Sequence, residues 1–300
     1  MRYLLHMQYA ERIPRQPDGE AFYRIYSGGM RAAELENGAW QIEPFLVNGL
    51  ACSRGFITHE QLANFAARNN LFFVAFNRLT WRNGNYHSTW RQIVPDQADH
   101  FRGPSDLWSS ISSKIGLRRA RDAFGNSQSV PMDELRSVVD NKTDLERQTS
   151  SVSLSLRNID ISVEYICDYY HEQLVNHIST NKISGEQIST SIDQMLYAHV
   201  QSFFVHVGAA RDFAAAILAL RIGKDANKID SFARLADCLR REDISADPVL
   251  RFLLSSGNLS FKTGSTTKLC ASGWLKQITD TRNLFVHKRP YGSRFDEESG

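Results

Sequence analysis

The chain has 300 residues, of which 35 are Lys or Arg and 33 are Asp or Glu, so its formal net charge is +2. This length predicts about two domains and a core that needs no disulfide. The 23% of charged and 11% of aromatic residues exclude a disordered chain. The near-zero charge excludes a strong overall field for nucleic acid or membranes, although a local patch could still bind either.

The cysteines and the apolar segments indicate a compartment. The four cysteines are spaced singly and form no C-x-x-C pair, which is typical of a reducing environment. The N-terminal segment has no apolar signal region, and no window approaches the run of about 18 apolar residues that a transmembrane helix needs. We therefore expect a cytoplasmic protein that makes no membrane contact.

Residues 1–148 predict a smaller mixed α/β domain of unknown role. Two segments read as strands: Tyr3–Tyr9 and Trp40–Val47, the second at a sheet edge because it contains Pro44. Thr58 and Gln61 have the spacing of a capping box and predict the start of a helix. The apolar run Leu71–Phe76 fits a buried strand or a continuation of that helix, because periodicity does not separate the two.

From Pro104 the pattern becomes helical. Ser105 or Asp106 is positioned to cap a helix whose apolar side carries Leu107, Ile111 and Ile115. Near its end lie three arginines that either contact phosphate or complement the helix dipole: Arg118, Arg119 and Arg121. Pro131 suits the first turn of another short helix. The polar, Ser/Thr-rich stretch Asn141–Ser155 is a candidate linker, with a domain boundary near residue 148.

Residues 149–300 predict a helical domain. Apolar residues recur at helical spacing in three segments: Leu156–Leu174, Ile192–Ile217 before Gly223, and Ile229–Arg241. Pro248 opens a short helix, Ser255–Thr267 reads as a loop, and Lys268–His287 reads as a last helix that ends before Pro290. Long helices joined by short connections predict an up-and-down bundle. The expected fold is mainly α, with the mixed α/β domain at the N-terminus.

The histidines do not suggest a metal site. His171 and His177 are six residues apart, which turns a helix by about 240° and points the two rings apart. His199 and His206 share a helical face, but roughly 10 Å of helical rise separates them. One ion cannot bridge that distance, so we expect no metal.

The last predicted helix ends in the six residues RNLFVH, Arg282–His287. Asn283 and His287 are four residues apart and share a helical face. Arg282 lies about 140° around the helix from His287, so the two would not easily converge in one straight helix. Basic residues are also favoured in any last helical turn, where they complement the dipole. A chance arrangement at a helix end therefore stays open.

This segment resembles the signature of the HEPN superfamily, an Arg followed by Asn and, after four intervening residues, a His. Two further segments are similar to the helix that precedes that signature and to the approach to it: Gly208–Ala216 and Trp274–Asp280. The similarity covers roughly residues 150 to 291. It implies a helical bundle that acts as a metal-independent endoribonuclease in toxin, abortive-infection or other antiviral systems.

The resemblance also implies roles for the matched residues. His287 would act as the general base or acid at the ribose 2′-hydroxyl or the leaving oxygen, since an imidazole suits neutral pH. Arg282 would hold the scissile phosphate, and Asn283 would orient the phosphate or the imidazole. No cofactor is implied, because the 2′-hydroxyl of RNA is the nucleophile. Three further candidates, which the signature does not contain, are Lys288 and Arg289 for flanking phosphates and Asp212 as a supporting residue.

HEPN sites are commonly shared between two copies, so the resemblance implies a homodimer with RNA as substrate and an antitoxin or a phage-derived trigger as partner. Some members carry a modified tyrosine two residues after the histidine. Arg289 occupies that position here, and Tyr291 lies beyond Pro290, so control by that modification is not expected. The superfamily includes inactive members, and the alternative function is a non-catalytic module that binds RNA, a nucleotide or a protein.

Overall fold

A computed structural model describes residues 20–35, 37–43, 45–47, 50–52, 55–82, 85–92, 103–125, 130–180, 191–265 and 268–287. The predicted strand Tyr3–Tyr9 lies outside these residues, as does the connection between the two longest predicted helices. The chain divides into two compact units. One is drawn from the described residues within Met1–Phe101 and Val163–Leu196, the other from those within Arg102–Ser162 and Tyr197–Gly300. This division differs from the predicted one into residues 1–148 and 149–300.

The first unit is built on a six-stranded antiparallel sheet with the order β6-β3-β2-β1-β7-β8. Its strands are β1 (Glu20–Tyr26), β2 (Arg31–Glu34), β3 (Trp40–Glu43), β6 (Gly55–Ile57), β7 (Phe73–Arg82) and β8 (Asn85–Gln92). Two short strands, β4 (Phe45–Val47) and β5 (Leu50–Cys52), form a separate pair. The predicted strand Trp40–Val47 is therefore two strands, β3 and β4.

Helix α1 (His59–Arg68) packs on this sheet, and its start is as predicted. The Thr58 side chain accepts from the backbone of Gln61, and the Gln61 side chain accepts from the backbone of Thr58, which confirms the capping box. Leu62 and Ala66 are buried against a cluster from the sheet: Tyr26, Met30, Ala32, Trp40 and Ile42. The apolar run before residue 77 is a strand from Phe73 onward, so the strand alternative is the correct one.

Three helices follow: α2 (Pro104–Phe124), α3 (Met132–Asp140) and α4 (Asp144–Thr180). Helix α2 begins at Pro104 as expected, but Gly103 is its N-cap and no side chain caps it, so the prediction of Ser105 or Asp106 as cap is wrong. Leu107 and Ile111 are exposed rather than packed.

The linker predicted over Asn141–Ser155 is wrong, because helix α4 begins at Asp144 and runs through it. Two hydroxyl groups of this segment donate hydrogen bonds to carbonyl oxygens. Thr149 donates to Leu145 O at 2.8 Å, and Ser153 donates to Ser105 O at 2.7 Å. Ser and Thr are therefore buried here at helical positions instead of marking a solvated connection.

The rest of the second unit contains α5 (Ser191–Arg221), α6 (Phe232–Cys238), α7 (Arg241–Ala246), α8 (Pro248–Ser255), the hairpin strands β9 (Leu259–Phe261) and β10 (Leu269–Ala271), and α9 (Gly273–His287). Helix α5 starts among residues of the first unit and continues into the second. Gly223 ends α5 as predicted, with φ of +71° and a hydrogen bond of 2.8 Å from Lys224 N–H to Ala219 O.

Two predictions in this region are wrong. The single helix expected over Ile229–Arg241 is α6 followed by α7, because Leu239 takes an extended conformation with ψ of 142°. The loop expected over Ser255–Thr267 contains β9, and β10 occupies the predicted start of the last helix. The core of this region joins α5 to α6, α8 and the hairpin through buried residues: Leu218, Phe232, Leu235, Leu250, Leu259 and Leu269.

The mainly helical layout with an antiparallel sheet in the N-terminal part agrees with the predicted fold class. Residues Asp193–Arg221 of α5 are long and apolar enough to span a membrane by length and composition, which the sequence analysis did not expect. A core helix passes the same test, and 39% of that apolar window is buried inside the protein. The run from Ala215 to Ala219 is wholly buried, as a core helix requires.

Candidate active site

Helix α9, which carries the predicted signature, lies antiparallel to α5. Three pairs of residues join the two helices: Phe204 with Phe285, Gly208 with Arg282, and Arg211 with Thr279. The α5 numbers rise as the α9 numbers fall, which defines the antiparallel direction. The Phe204 and Phe285 rings meet edge to face with centroids 5.1 Å apart. The end of α9 is thus packed along one side of α5.

A polar network fixes this packing about one turn before the signature. Arg211 is 8% exposed at its side chain and donates to Asp212 Oδ1 from Nε at 3.0 Å and from Nη2 at 2.7 Å. Its Nη1 donates to Thr279 Oγ1 on α9. Asp212 Oδ1 also accepts from the backbone N–H of Phe232 at 3.0 Å, at the start of α6. Arg211 and Asp212 therefore act as a pair that ties α5 to both α6 and α9.

Arg282 lies across Gly208. A Cβ atom at position 208 would stand 2.8 Å from Arg282 Cδ and 3.1 Å from its Nε, so only glycine leaves room for the arginine stem. The Arg282 Nε is buried and has no hydrogen-bond partner among the described residues. Its two terminal nitrogens are neither bonded within the described chain nor fully buried, so they are open to an anion.

Asn283 and His287 point away from this packing. Both are exposed, they are one helical turn apart, and Val286 beside them is 44% exposed. Arg282 lies about 140° around the helix from His287 and faces α5. A single chain therefore brings Asn283 and His287 to one open face and holds Arg282 on another. Lys288 and Arg289 lie outside the described residues.

The contacts that Gly208 and Arg211 make were not predicted from the sequence. In the sequence, Gly208 is the first residue of the segment Gly208–Ala216 that resembles a helix of the superfamily. A glycine inside a long helix weakens it by about 1 kcal/mol, so its presence was a signal that another group approaches the backbone closely. Arg211 gave no such signal, because its partner Thr279 lies 68 residues away in the sequence.

Two of the other candidate groups, His171 and Arg119, have structural partners. His171 is buried and its Nδ1 donates to Gly29 O at 2.7 Å, and burial lowers the pKa of this imidazole to about 4 although that hydrogen bond opposes the shift. Of the three arginines near the end of α2, Arg119 forms an ion pair with Glu146 at 2.9 Å. Neither of the two roles expected for these arginines, phosphate contact or interaction with the helix dipole, included this pair. Within the described residues, no group of three or more His, Cys, Asp or Glu side chains could hold a metal ion.

No protein-family model matches the chain, and neither a curated protein nor a solved structure matches it. The chemistry of the site is therefore argued from its own geometry and from the resemblance of its signature.

Proposed function

We propose that the protein is a metal-independent endoribonuclease of the HEPN type, which acts as a toxin or an antiviral, abortive-infection effector in the cytoplasm. The observation that carries this proposal is the seat of Arg282. The aliphatic stem of Arg282 packs against Gly208. Its Nε is buried without a partner among the described residues, and its terminal nitrogens are open. Because Nε itself is buried, the open terminal nitrogens are the donors that an arriving phosphate oxygen would reach.

The reaction uses groups of RNA and of α9. His287 takes the proton from a ribose 2′-hydroxyl, or delivers one to the leaving 5′-oxygen, and its exposed position lets a large substrate reach it. Arg282 stabilises the negative charge that develops on the phosphorus oxygens. Asn283 is one turn from His287 on the same face and orients the phosphate or the ring. The products are a 2′,3′-cyclic phosphate and a free 5′-hydroxyl.

The site requires a second copy of the chain. Arg282 and His287 diverge around α9, so the arginine of one protomer and the histidine of another meet across a two-fold axis. The exposed Val286 next to Asn283 and His287 supplies apolar surface for such a contact.

Expression in growing bacteria tests the activity. Wild type is expected to slow growth, and His287→Ala and Arg282→Ala are expected to relieve it, with RNA cleavage reduced by about a hundredfold or more. Gln277→Ala, a change at an exposed residue of the same helix, is the matched control and should remain toxic. Cleavage should persist in EDTA.

Equal growth of cells that express wild type and either variant contradicts the proposed nuclease activity. A protein that binds RNA tightly without cleaving it identifies the alternative function, the non-catalytic module. Cleavage lost on chelation and restored by Mg²⁺ contradicts the metal-independent mechanism.

A further inference from the structure

A cavity of about 540 Å³ lies among helices α2, α3 and α4, away from α9 in sequence. Helices α2 and α4 are antiparallel, since Ser153 bonds Ser105 O at 2.7 Å and Ser112 lies 2.7 Å from Ser150. Helix α3 covers the end of this pair where Arg119 meets Glu146, because Arg119 Nη1 donates to Val138 O. The volume falls in the range of roughly 300–1,000 Å³ that small-ligand sites occupy.

The end of the cavity beneath α3 is aliphatic. Its walls are Leu117, Ala120, Leu135, Val138 and Val139. Leu117 and Val139 are 68% and 53% exposed, so apolar surface that a ligand could cover is open to water.

The charged pair at that end is neutral as a unit. Glu146 is 4% exposed at its side chain and accepts from Arg119 Nε at 2.9 Å and from Nη2 at 3.1 Å. It also accepts from Thr143 N–H at 2.8 Å and from the Thr143 hydroxyl at 3.0 Å. Burial raises the pKa of this carboxyl, but the hydrogen bonds from Arg119 and Thr143 outweigh it and hold the pKa below its usual value. Three of the five N–H groups of Arg119 donate to Glu146 and to Val138 O, so most of its donor capacity is used within the described chain.

The other end of the cavity is polar and carries a positive charge. Five hydroxyl groups line it, from Ser109, Ser112, Ser113, Ser150 and Ser153. Arg157 stands beside them and is 54% exposed. Within the described chain only Asp106 holds it, at 3.4 Å, which is longer than a normal hydrogen bond. The Ser109 hydroxyl makes no hydrogen bond within the described chain. From Ser109 to Ala120 the cavity wall rises by about 16 Å along α2.

We propose that this cavity binds an aliphatic amphiphile with an anionic head group. The aliphatic chain lies beneath α3, and the carboxylate or phosphate lies against Arg157 and the Ser109 hydroxyl. None of the described residues that line the cavity is aromatic, so it has no ring on which a nucleobase could stack. Arg157 and the serine hydroxyls at one end provide contacts for an anionic head group, and the aliphatic end, which Lys142 also borders, provides apolar surface for a chain.

Calorimetric titration of the full chain tests this with octanoate and octyl phosphate as probes. Saturable binding of either anion is expected, and comparing the two identifies the preferred head group. Butanoate should bind much more weakly, because it leaves most of the aliphatic end uncovered. Neutral 1-octanol should bind at least about tenfold more weakly than octanoate, because it lacks the charge-assisted hydrogen bonds.

Three variants place the ligand in the cavity. Arg157→Gln should weaken octanoate binding by about tenfold or more, whereas Lys142→Gln, which removes an exposed cation at the aliphatic end, should leave it unchanged. Leu117→Ser should weaken binding because it removes an apolar contact with the aliphatic chain of the ligand. All three residues are exposed, so these variants should keep the fold, which circular dichroism checks. Absence of saturable binding, equal affinity for 1-octanol, preference for adenosine monophosphate, or no effect of Arg157→Gln would each overturn the proposal.

Discussion

Replacing Gly208 with alanine is expected to raise the stability of the protein while lowering its activity. The added Cβ would stand 2.8 Å from Arg282 Cδ, closer than such atoms approach, and 3.1 Å from Nε, which is tighter than most real contacts. The arginine is the part that can move, because its terminal nitrogens are not fully buried and no hydrogen bond within the described chain holds them. The side chain should therefore rotate out of its seat.

Three contributions set the change in the free energy of unfolding. Alanine in place of glycine inside α5 stabilises the helix by about 1 kcal/mol. Removing up to two methylene groups of Arg282 from their burial costs about 1.6 kcal/mol. Returning the unpaired Nε to water regains about 1–3 kcal/mol. The sum favours the variant by about 1 kcal/mol, which raises the melting temperature by about 2 °C.

The activity should change in the opposite direction. A guanidinium displaced from the phosphate is expected to reduce RNA cleavage by about tenfold to a hundredfold. Thermal unfolding followed by circular dichroism and cleavage of a labelled RNA measure the two effects. The double variant Gly208→Ala with Arg282→Ala is the control, because the glycine should affect cleavage only through the arginine. Its cleavage should equal that of Arg282→Ala alone.

Two results would refute this reasoning. Full activity in Gly208→Ala would mean that Arg282 does not need its position against Gly208 on α5 to bind the phosphate. A variant less stable than wild type by about 1–3 kcal/mol would mean that the arginine stays and the helix is overpacked.

Two further predictions concern the first unit and are measured by urea unfolding. Gly29→Ala should destabilise by at least about 2 kcal/mol more than Gly38→Ala, because both have positive φ but only the Cβ at 29 would meet backbone, at 2.5 Å from Tyr170 O; equal losses would contradict this. Burial lowers the pKa of His171 to about 4 from 6.5, so below pH 6.5 the unfolded state binds a proton that the folded state does not, and stability falls by up to about 3 kcal/mol by pH 4. His171→Gln should remove that part of the pH dependence, and an unchanged slope would argue against it.

The local signals in the sequence predicted element boundaries well where one residue type has one geometric meaning. The capping box at Thr58, the proline at the start of α2 and the glycine after α5 each lie where the structure has a helix boundary. Each signal acts through hydrogen bonds or dihedral angles of its own segment, so no tertiary information is needed.

The predictions failed where distant contacts decide the local structure. The hydroxyl-rich start of α4 looked solvated, but Ser153 finds its acceptor 48 residues away, at Ser105 O. The hairpin of β9 and β10 forms from three-residue strands that are too short to show a period. Compositional polarity therefore indicated a linker and a loop where side-chain and cross-strand hydrogen bonds supply the partners.

The residues of the candidate site were predicted from one short segment, but their surroundings were not. Helical spacing alone predicted that Arg282 and His287 point in different directions around the helix. It could not give the contact of Arg282 with Gly208, since that depends on how α9 packs on α5. The same spacing has a consequence for the proposed reaction: the two side chains must act from different copies of the chain.

Mixing two inactive variants tests whether the site is shared between two copies of the chain. A protomer with Arg282→Ala still supplies His287, and a protomer with His287→Ala still supplies Arg282, so a mixed dimer contains one intact shared site and one site that lacks both groups. With random exchange, half of the dimers are mixed and each has one of two sites, which predicts about a quarter of wild-type cleavage. Each variant alone should stay inactive. No recovery on mixing, with exchange shown by a labelled protomer, would place both side chains in a single chain, and the packing of Arg282 against α5 would then have to change on binding RNA.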